Sequence, residues 1–147
     1  MKTQTVTIPV HVAATEADLR RCYPVMKQLR PPFTEDQFVA AVQRMHKHEG
    51  YAIAFTEHDG KVAACAGFRY TEMLHRGFSM YVDDLITDEN LRSGGHGHAL
   101  MEWLRAQARA KDCQELHLDS GVQRFDAHRF YFRERMYISS YHFREKL

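Results

Sequence analysis

The feature that most constrains this chain is a glycine-rich turn between a predicted strand and a predicted helix. Residues 82–104 form one strand–turn–helix pattern, and its turn is Arg92-Ser93-Gly94-Gly95-His96-Gly97. Glycine adopts backbone conformations that other residues avoid, and it lets a bulky anion approach the main chain. The free N–H groups of the turn then converge on one spot, where the helix dipole adds partial positive charge. The pattern predicts a phosphate-binding site, with the Arg92 guanidinium as an additional ligand.

The turn matches neither of two common nucleotide-binding patterns. The GxGxxG of dinucleotide sites is absent, and no GK[ST] follows as in nucleoside-triphosphate loops. What is present is Arg-x-x-Gly-x-Gly, with Arg92, Gly95 and Gly97 at its fixed positions. The sequence here resembles the GNAT superfamily of N-acetyltransferases, whose pyrophosphate loop has the pattern Gln/Arg-x-x-Gly-x-Gly/Ala. The resemblance implies acetyl-CoA as co-substrate and an N-acetyltransferase activity on an amine acceptor.

A second motif near the C-terminus supports the same resemblance. Ala127, Phe130 and Tyr131 match the family's late helix, Asn-x-x-Ala-x-x-Phe-Tyr-Glu-x-x-Gly-Phe, which lies beside the thioester end of the coenzyme. The departures from that pattern are Arg124 for the Asn, Phe132 for the acid, and Met136-Tyr137 for Gly-Phe. Because of these departures, a non-catalytic acyl-CoA sensor or interaction module on the same fold remains an alternative.

The resemblance also implies roles for individual residues. In this family the acceptor amine attacks the acetyl thioester directly in a ternary complex, so the protein mainly positions substrates and manages protons. Tyr131 corresponds to the tyrosine that protonates the departing thiolate, and a packed aromatic is the alternative interpretation. The end of the strand corresponds to the backbone that pairs with the pantetheine amides and polarises the thioester carbonyl. The implied coenzyme-binding residues are Leu85, Ile86, Thr87, Arg92, Ser93, Gly94, Gly95, His96, Gly97 and His98.

The proton acceptor for the amine is less defined. Asp83 and Asp84 precede the pantetheine-pairing backbone, where several family members carry an acid. Because successive strand residues face opposite sides of a sheet, we expect at most one of them to face the acceptor. Exposed strand carboxylates without a catalytic role are the alternative. Glu72 and His75 are further candidates for the base.

The acceptor itself stays open. The nearby acidic residues favour a cationic amine such as a polyamine, an aminoglycoside or a lysine side chain. Aromatic residues such as Phe33 and Phe38, which we expect near the acceptor pocket, suit an arylamine or an amino acid equally well.

The order of predicted elements is β-α-α-β-β-β-α-β-α-β, which indicates a mixed α/β sheet with helices on both faces in a single domain over residues 1–147. The predicted strands are residues 5–12, 51–57, 61–69, 79–86, 115–119 and 138–144. The predicted helices begin at the caps Thr15 and Thr34, at Gly97 and at about Asp126. Asp59-Gly60 predicts a type I′ turn, and Pro9 predicts an edge position for the first strand.

Composition adds mainly exclusions. The net charge of +1 gives no reason to expect nucleic acid or an acidic membrane as partner. No signal-peptide or membrane-spanning run is found, and three scattered cysteines fit reduced thiols, so we expect a cytoplasmic protein. Ten histidines show no metal-ligand spacing, so we expect no metal. Since family members often dimerise, a homodimer is a candidate assembly.

Overall fold

The computed structural model of the chain describes residues 7–147. Its strands are β1 His11–Val12, β2 Ala52–His58, β3 Lys61–Met73, β4 Gly77–Thr87 and β5 Glu115–Leu118. Its helices are α1 Glu16–Leu29, α2 Glu35–Glu49, α3 His96–Ala110 and α4 Phe125–Arg133, with a 3₁₀ turn at Glu89–Leu91. The chain separates into two compact units, the first ending at His117 and the second spanning Leu118–Leu147. None of the described helices is long and apolar enough to cross a membrane.

The first two helices begin where their caps predict. Thr15 accepts a hydrogen bond from the Asp18 amide, and the Asp18 carboxylate accepts one from the Thr15 amide. Thr34 and Gln37 form the same reciprocal capping box at the start of α2. Each box satisfies backbone N–H groups that have no partner within the helix, so local sequence alone sets both starts.

The sheet is mixed, and its strands lie in chain order from β1 to β5. β1 to β4 pair antiparallel with their neighbours. Asp59 and Gly60 join β2 to β3 with positive φ angles of 50° and 75°, as a type I′ turn requires. β1 occupies an edge, as Pro9 predicts, whereas β4 reaches β5 through α3. This strand–helix–strand connection carries the glycine-rich turn at its first corner.

Alternation along the strands builds a core on each face of the sheet. Ile53 and Phe55 of β2 pack in a buried cluster with side chains of α1 and α2. Thr56, the residue after Phe55, contacts His96 of α3, and Phe68 of β3 lies against Trp103 of α3. Strand residues two apart share a face, so α1 and α2 cover one face and α3 covers the other. The predicted α/β sheet with flanking helices is confirmed.

Several predicted boundaries differ from the structure. Residues 138–144, predicted as a last strand, form no strand, because their large apolar side chains Ile138, Tyr141 and Phe143 are exposed and gain no packing. β3 runs four residues beyond its predicted end to Met73. Of the predicted first strand, residues 5 and 6 lie outside the described residues, and only His11–Val12 is a strand. The extent of a single domain over residues 1–147 stays a prediction.

Candidate active site

The glycine-rich turn lies between β4 and α3 and exposes its backbone. Arg92, Ser93, Gly94 and Gly95 are exposed, and Ser93 and Gly95 adopt left-handed conformations with φ of 68° and 86°. Gly95 is the N-cap residue of α3, and no side chain caps this helix end, whereas α1 and α2 both carry capping boxes. Within the described residues, the N-cap position of α3 thus provides no side-chain acceptor for the first N–H groups, and the helix dipole makes this end attractive to an anion.

The next residues of the motif divide between surface and core. Gly97 is half-buried and His98 is exposed on the first turn of α3. The His96 side chain is buried instead, and its Nδ1 lies 3.0 Å from Thr56 Oγ1 of β2. Burial, together with the neighbouring His58, lowers the pKa of His96, so its imidazole is neutral at pH 7. The coenzyme contact predicted for His96 therefore concerns its backbone, because its side chain is engaged with the sheet.

β4 presents an edge beyond the end of its neighbour β5. The Gln114 amide donates to the Phe78 carbonyl over 2.8 Å, which places the start of β5 beside the start of β4. β5 has 4 residues and β4 has 11, so β5 accompanies only the first half of β4. Leu85, Ile86 and Thr87 pair with β3 on the opposite edge. An extended ligand that carries amides can add to such a strand edge.

Asp83 and Asp84 lie at a break in the pairing of β3 with β4. Gly67 pairs with Asp84 and Phe68 pairs with Val82, so Asp83 has no residue opposite it. An extra residue of this kind is a β-bulge, which interrupts the alternation of side chains along a strand. The prediction that the two carboxylates face opposite sides of the sheet is wrong, because both contact one cluster of side chains.

That cluster joins β4 to β3, to the start of β2 and to the end of α1. Arg69 donates to both oxygens of Asp83 at 3.0 and 2.6 Å and lies over the Tyr51 ring. The Tyr51 hydroxyl donates to Asp84 Oδ2 over 2.6 Å, and Arg30 Nε donates to Asp84 Oδ1 over 2.8 Å. Glu49 forms an ion pair with Arg69. We call the residues joined by these contacts the acid cluster: Arg30, Glu49, Tyr51, Arg69, Asp83 and Asp84.

The charges of the acid cluster nearly balance, because its two arginines offset two of its three carboxylates. Burial raises the pKa of Asp83, while Arg69 opposes that rise and the charge of Asp84 adds to it. Burial and the charge of Asp84 raise the pKa of Tyr51 well above its usual value. The Tyr51 hydroxyl therefore remains protonated and donates a hydrogen bond to Asp84.

Tyr131, predicted to protonate the leaving thiolate, lies in α4 of the second unit. Burial raises the pKa of its phenol, and Arg124 opposes the rise. The amide of Met136 donates to the Tyr131 carbonyl over 3.0 Å, and Arg135 adopts a left-handed conformation with φ of 64°. The helix-ending position that the family pattern gives to glycine is therefore filled by Arg135, and the sequence comparison placed this departure one residue too late.

A shallow cavity of about 370 Å³ lies on the connection from α1 to α2. It is lined by Pro32, Phe33, Gln37, Ala40 and Arg44. Phe33 is 40% exposed, and its place near the acceptor stays a prediction. Phe38 is 5% exposed and packs against Tyr23, so its expected place near an acceptor is wrong. Glu72 and His75 are exposed at the β3–β4 hairpin and contact no residue of the acid cluster in the part of the chain described.

Sequence reasoning missed the partners of the two aspartates. Arg30 lies 54 residues from Asp84, and Tyr51 lies 33 residues from it, so no local spacing joins them. A search for basic residues to balance the acidic pair would have suggested Arg30 and Arg69. The Thr56 contact of His96 carries no comparable sequence signal.

Comparison with known proteins gives a consistent result. The acetyltransferase (GNAT) family matches residues 12–136. An uncharacterized N-acetyltransferase of Bacillus subtilis strain 168, YhdJ, is 30% identical over 124 residues, which cover 84% of this chain and 87% of the relative.

Solved structures share the fold at lower identity. An acetyltransferase from Trypanosoma brucei superposes with a TM-score of 0.76 at 23% identity, covering 95% of this chain and 99% of its own. Glucosamine-6-phosphate N-acetyltransferase from Arabidopsis thaliana superposes with a TM-score of 0.75 at 20% identity, covering 95% of this chain and 98% of its own.

Proposed function

The chain belongs to the acetyltransferase (GNAT) family, and from that premise we propose that it transfers the acetyl group of acetyl-CoA to an amine by direct attack in a ternary complex. The observation that carries the proposal is the entry to α3, where the left-handed Gly95 starts a helix that no side chain caps. A diphosphate suits that helix end.

The neighbouring strand edge matches the other part of the same donor. Pantetheine carries two amides in an extended arm, and the backbone of residues 85–87 offers an edge that outlasts β5. A single acyl-CoA would use both features, with its pyrophosphate on the turn and its arm along β4. Arg92, exposed at the start of the turn, would add a bidentate contact to a phosphate.

The chemistry needs one proton acceptor and one proton donor. The amine nitrogen attacks the thioester carbonyl carbon, a C–N bond forms and the C–S bond breaks. We assign the proton released by the amine to Asp83, whose pKa is raised by burial. Its side chain is 19% exposed, whereas that of Asp84 is 10% exposed and less accessible to an acceptor. Tyr131 gives its proton to the thiolate, and its raised pKa keeps the phenol protonated until that step.

The acid cluster also bears on the acceptor. Because Arg30 and Arg69 offset most of its negative charge, the cluster suits an amine with a single positive charge better than a polyamine. The exposed Phe33 beside the cavity adds an apolar surface for the carbon skeleton of such an amine.

Thiol release from acetyl-CoA, measured with a panel of amines, tests this function. The panel contains a simple monoamine, an arylamine, a polyamine and a lysine peptide, and release is expected to depend on both protein and amine. Coenzyme A binding without turnover on every acceptor would contradict catalysis and favour the acyl-CoA sensor. Failure to bind coenzyme A at all would contradict both functions.

A further inference from the structure

We propose that the His96 side chain is a positioning residue that holds the coenzyme-binding turn on the sheet through its contact with Thr56. The proposal rests on the proposed function, because it concerns the binding site of the same coenzyme. It assigns the side chain an inward role that is separate from any backbone contact to phosphate.

The link connects the first residue of α3 to a buried residue of β2. His96 is 6% exposed and Thr56 is 0% exposed, and Nδ1 lies 3.0 Å from Oγ1. The imidazole also lies close to the turn, because a Cβ placed on Gly94 would lie 3.3 Å from His96 Cδ2. One ring therefore lies next to the turn and contacts β2.

The turn needs such a support more than the starts of α1 and α2 do. α1 and α2 are fixed by capping boxes, whereas α3 has no side-chain cap at Gly95. Ser93 adopts a left-handed conformation that a residue with a Cβ avoids unless its surroundings impose it. Upstream, the Glu89 amide is fixed by Gln28 Oε1 over 3.0 Å. Downstream, the bond from His96 to Thr56 fixes the other end of the turn.

The groups around the imidazole disfavour its protonated form. Burial lowers the pKa of His96, and His58 of β2, which meets the ring edge-on with centroids 6.0 Å apart, lowers it further. The ring that contacts Thr56 is therefore neutral at pH 7.

Substitutions at both ends of the link provide the test. Thr56→Val keeps the shape of the side chain and removes the hydroxyl, whereas His96→Leu removes the imidazole. His96→Asn keeps a polar atom near the position of Nδ1. Thr15→Val is the matched control, since it removes a helix cap from α1 and leaves the turn intact.

Calorimetric titration with coenzyme A is the measurement. At pH 7.5, Thr56→Val and His96→Leu should each raise Kd by about tenfold, equivalent to about 1.4 kcal/mol. The double variant should be little worse than either single variant, because both remove the same bond. His96→Asn should stay within about threefold of wild type, because it keeps a polar atom that can reach Thr56.

Three results would overturn the inference. The first is wild-type affinity in Thr56→Val, a variant that removes one hydroxyl without changing the side-chain shape. The second is full additivity of the two single variants, and the third is a loss of affinity in His96→Asn as large as that in His96→Leu. If the wild-type protein binds no coenzyme A, both this inference and the proposed function fail, whereas any of the three results with wild-type binding intact removes the inference alone.

Discussion

Replacing Gly67 with alanine tests how the acid cluster is packed. A Cβ on Gly67 would overlap the Tyr51 hydroxyl and lie 2.8 Å from Asp84 Oδ2. Tyr51 is 2% exposed and the adjacent Ala66 is 0% exposed, so the surrounding core leaves little room for relaxation. Tyr51 must therefore move away from Asp84 and lose the 2.6 Å hydrogen bond.

The expected cost has two parts. A hydrogen bond to a charged acceptor contributes about 1.5–3 kcal/mol, and overpacking of a core costs about 1–3 kcal/mol. Since the movement that breaks the bond also relieves the overlap, we expect a net loss of about 3 kcal/mol in the free energy of unfolding. Urea denaturation with an unchanged m value measures it, and the melting temperature should fall by roughly 10 °C.

Two comparisons make the result specific. Gly60→Ala introduces the same methyl group where nothing lies within 4 Å, so only its left-handed φ of 75° is strained, at about 1–2 kcal/mol. In a Tyr51→Phe background, Gly67→Ala should cost less, because the hydrogen bond is already gone. Two results together would show that the added methyl group does not displace Tyr51. Gly67→Ala and Gly60→Ala would lower the free energy of unfolding equally, and the loss caused by Gly67→Ala would be the same in the Tyr51→Phe background.

Four further substitutions follow from the site and the fold. Tyr131→Phe should lower kcat by about 10²-fold or more while the Kd for acetyl-CoA is unchanged, and unchanged kcat would remove its role as the acid. Asp83→Asn should lower kcat and abolish the loss of activity that wild type shows as pH falls through the raised pKa of Asp83; persistence of that acid limb would contradict the assignment. Arg92→Ala should raise the Kd for coenzyme A more than Arg109→Ala at the other end of α3, and equal effects would rule out a local phosphate contact. Thr15→Val should cost about 1 kcal/mol in urea denaturation, and no loss would contradict the capping box.

Local features of this fold could be predicted from the sequence. The caps at Thr15 and Thr34, the turn at Asp59-Gly60 and the strand–turn–helix unit around Gly95 each depend on residues within a few positions of one another. Such features are set by backbone conformation and nearby hydrogen bonds, which residue type largely determines. The prediction of the coenzyme-binding turn used the same local information.

Features that depend on distant pairing could not be predicted. The register shift at Gly67 adds one residue to β4 and leaves no mark in its composition, so strict alternation gave the wrong directions for Asp83 and Asp84. Residues 138–144 show the reverse case. Their alternation is typical of a strand, but a strand also needs a neighbour and a packed face, and Tyr141 and Phe143 are exposed.

The backbone amides at the entry to α3 give the most direct test of the central claim. Isotope-labelled protein is titrated with coenzyme A, and the amide resonances are followed by nuclear magnetic resonance. We expect the largest shifts in residues 94–98 and along residues 85–87, and we expect pantetheine, which lacks the pyrophosphate, to leave residues 94–98 nearly unchanged. Saturation by coenzyme A with no shift in residues 94–98 would contradict pyrophosphate binding at this turn.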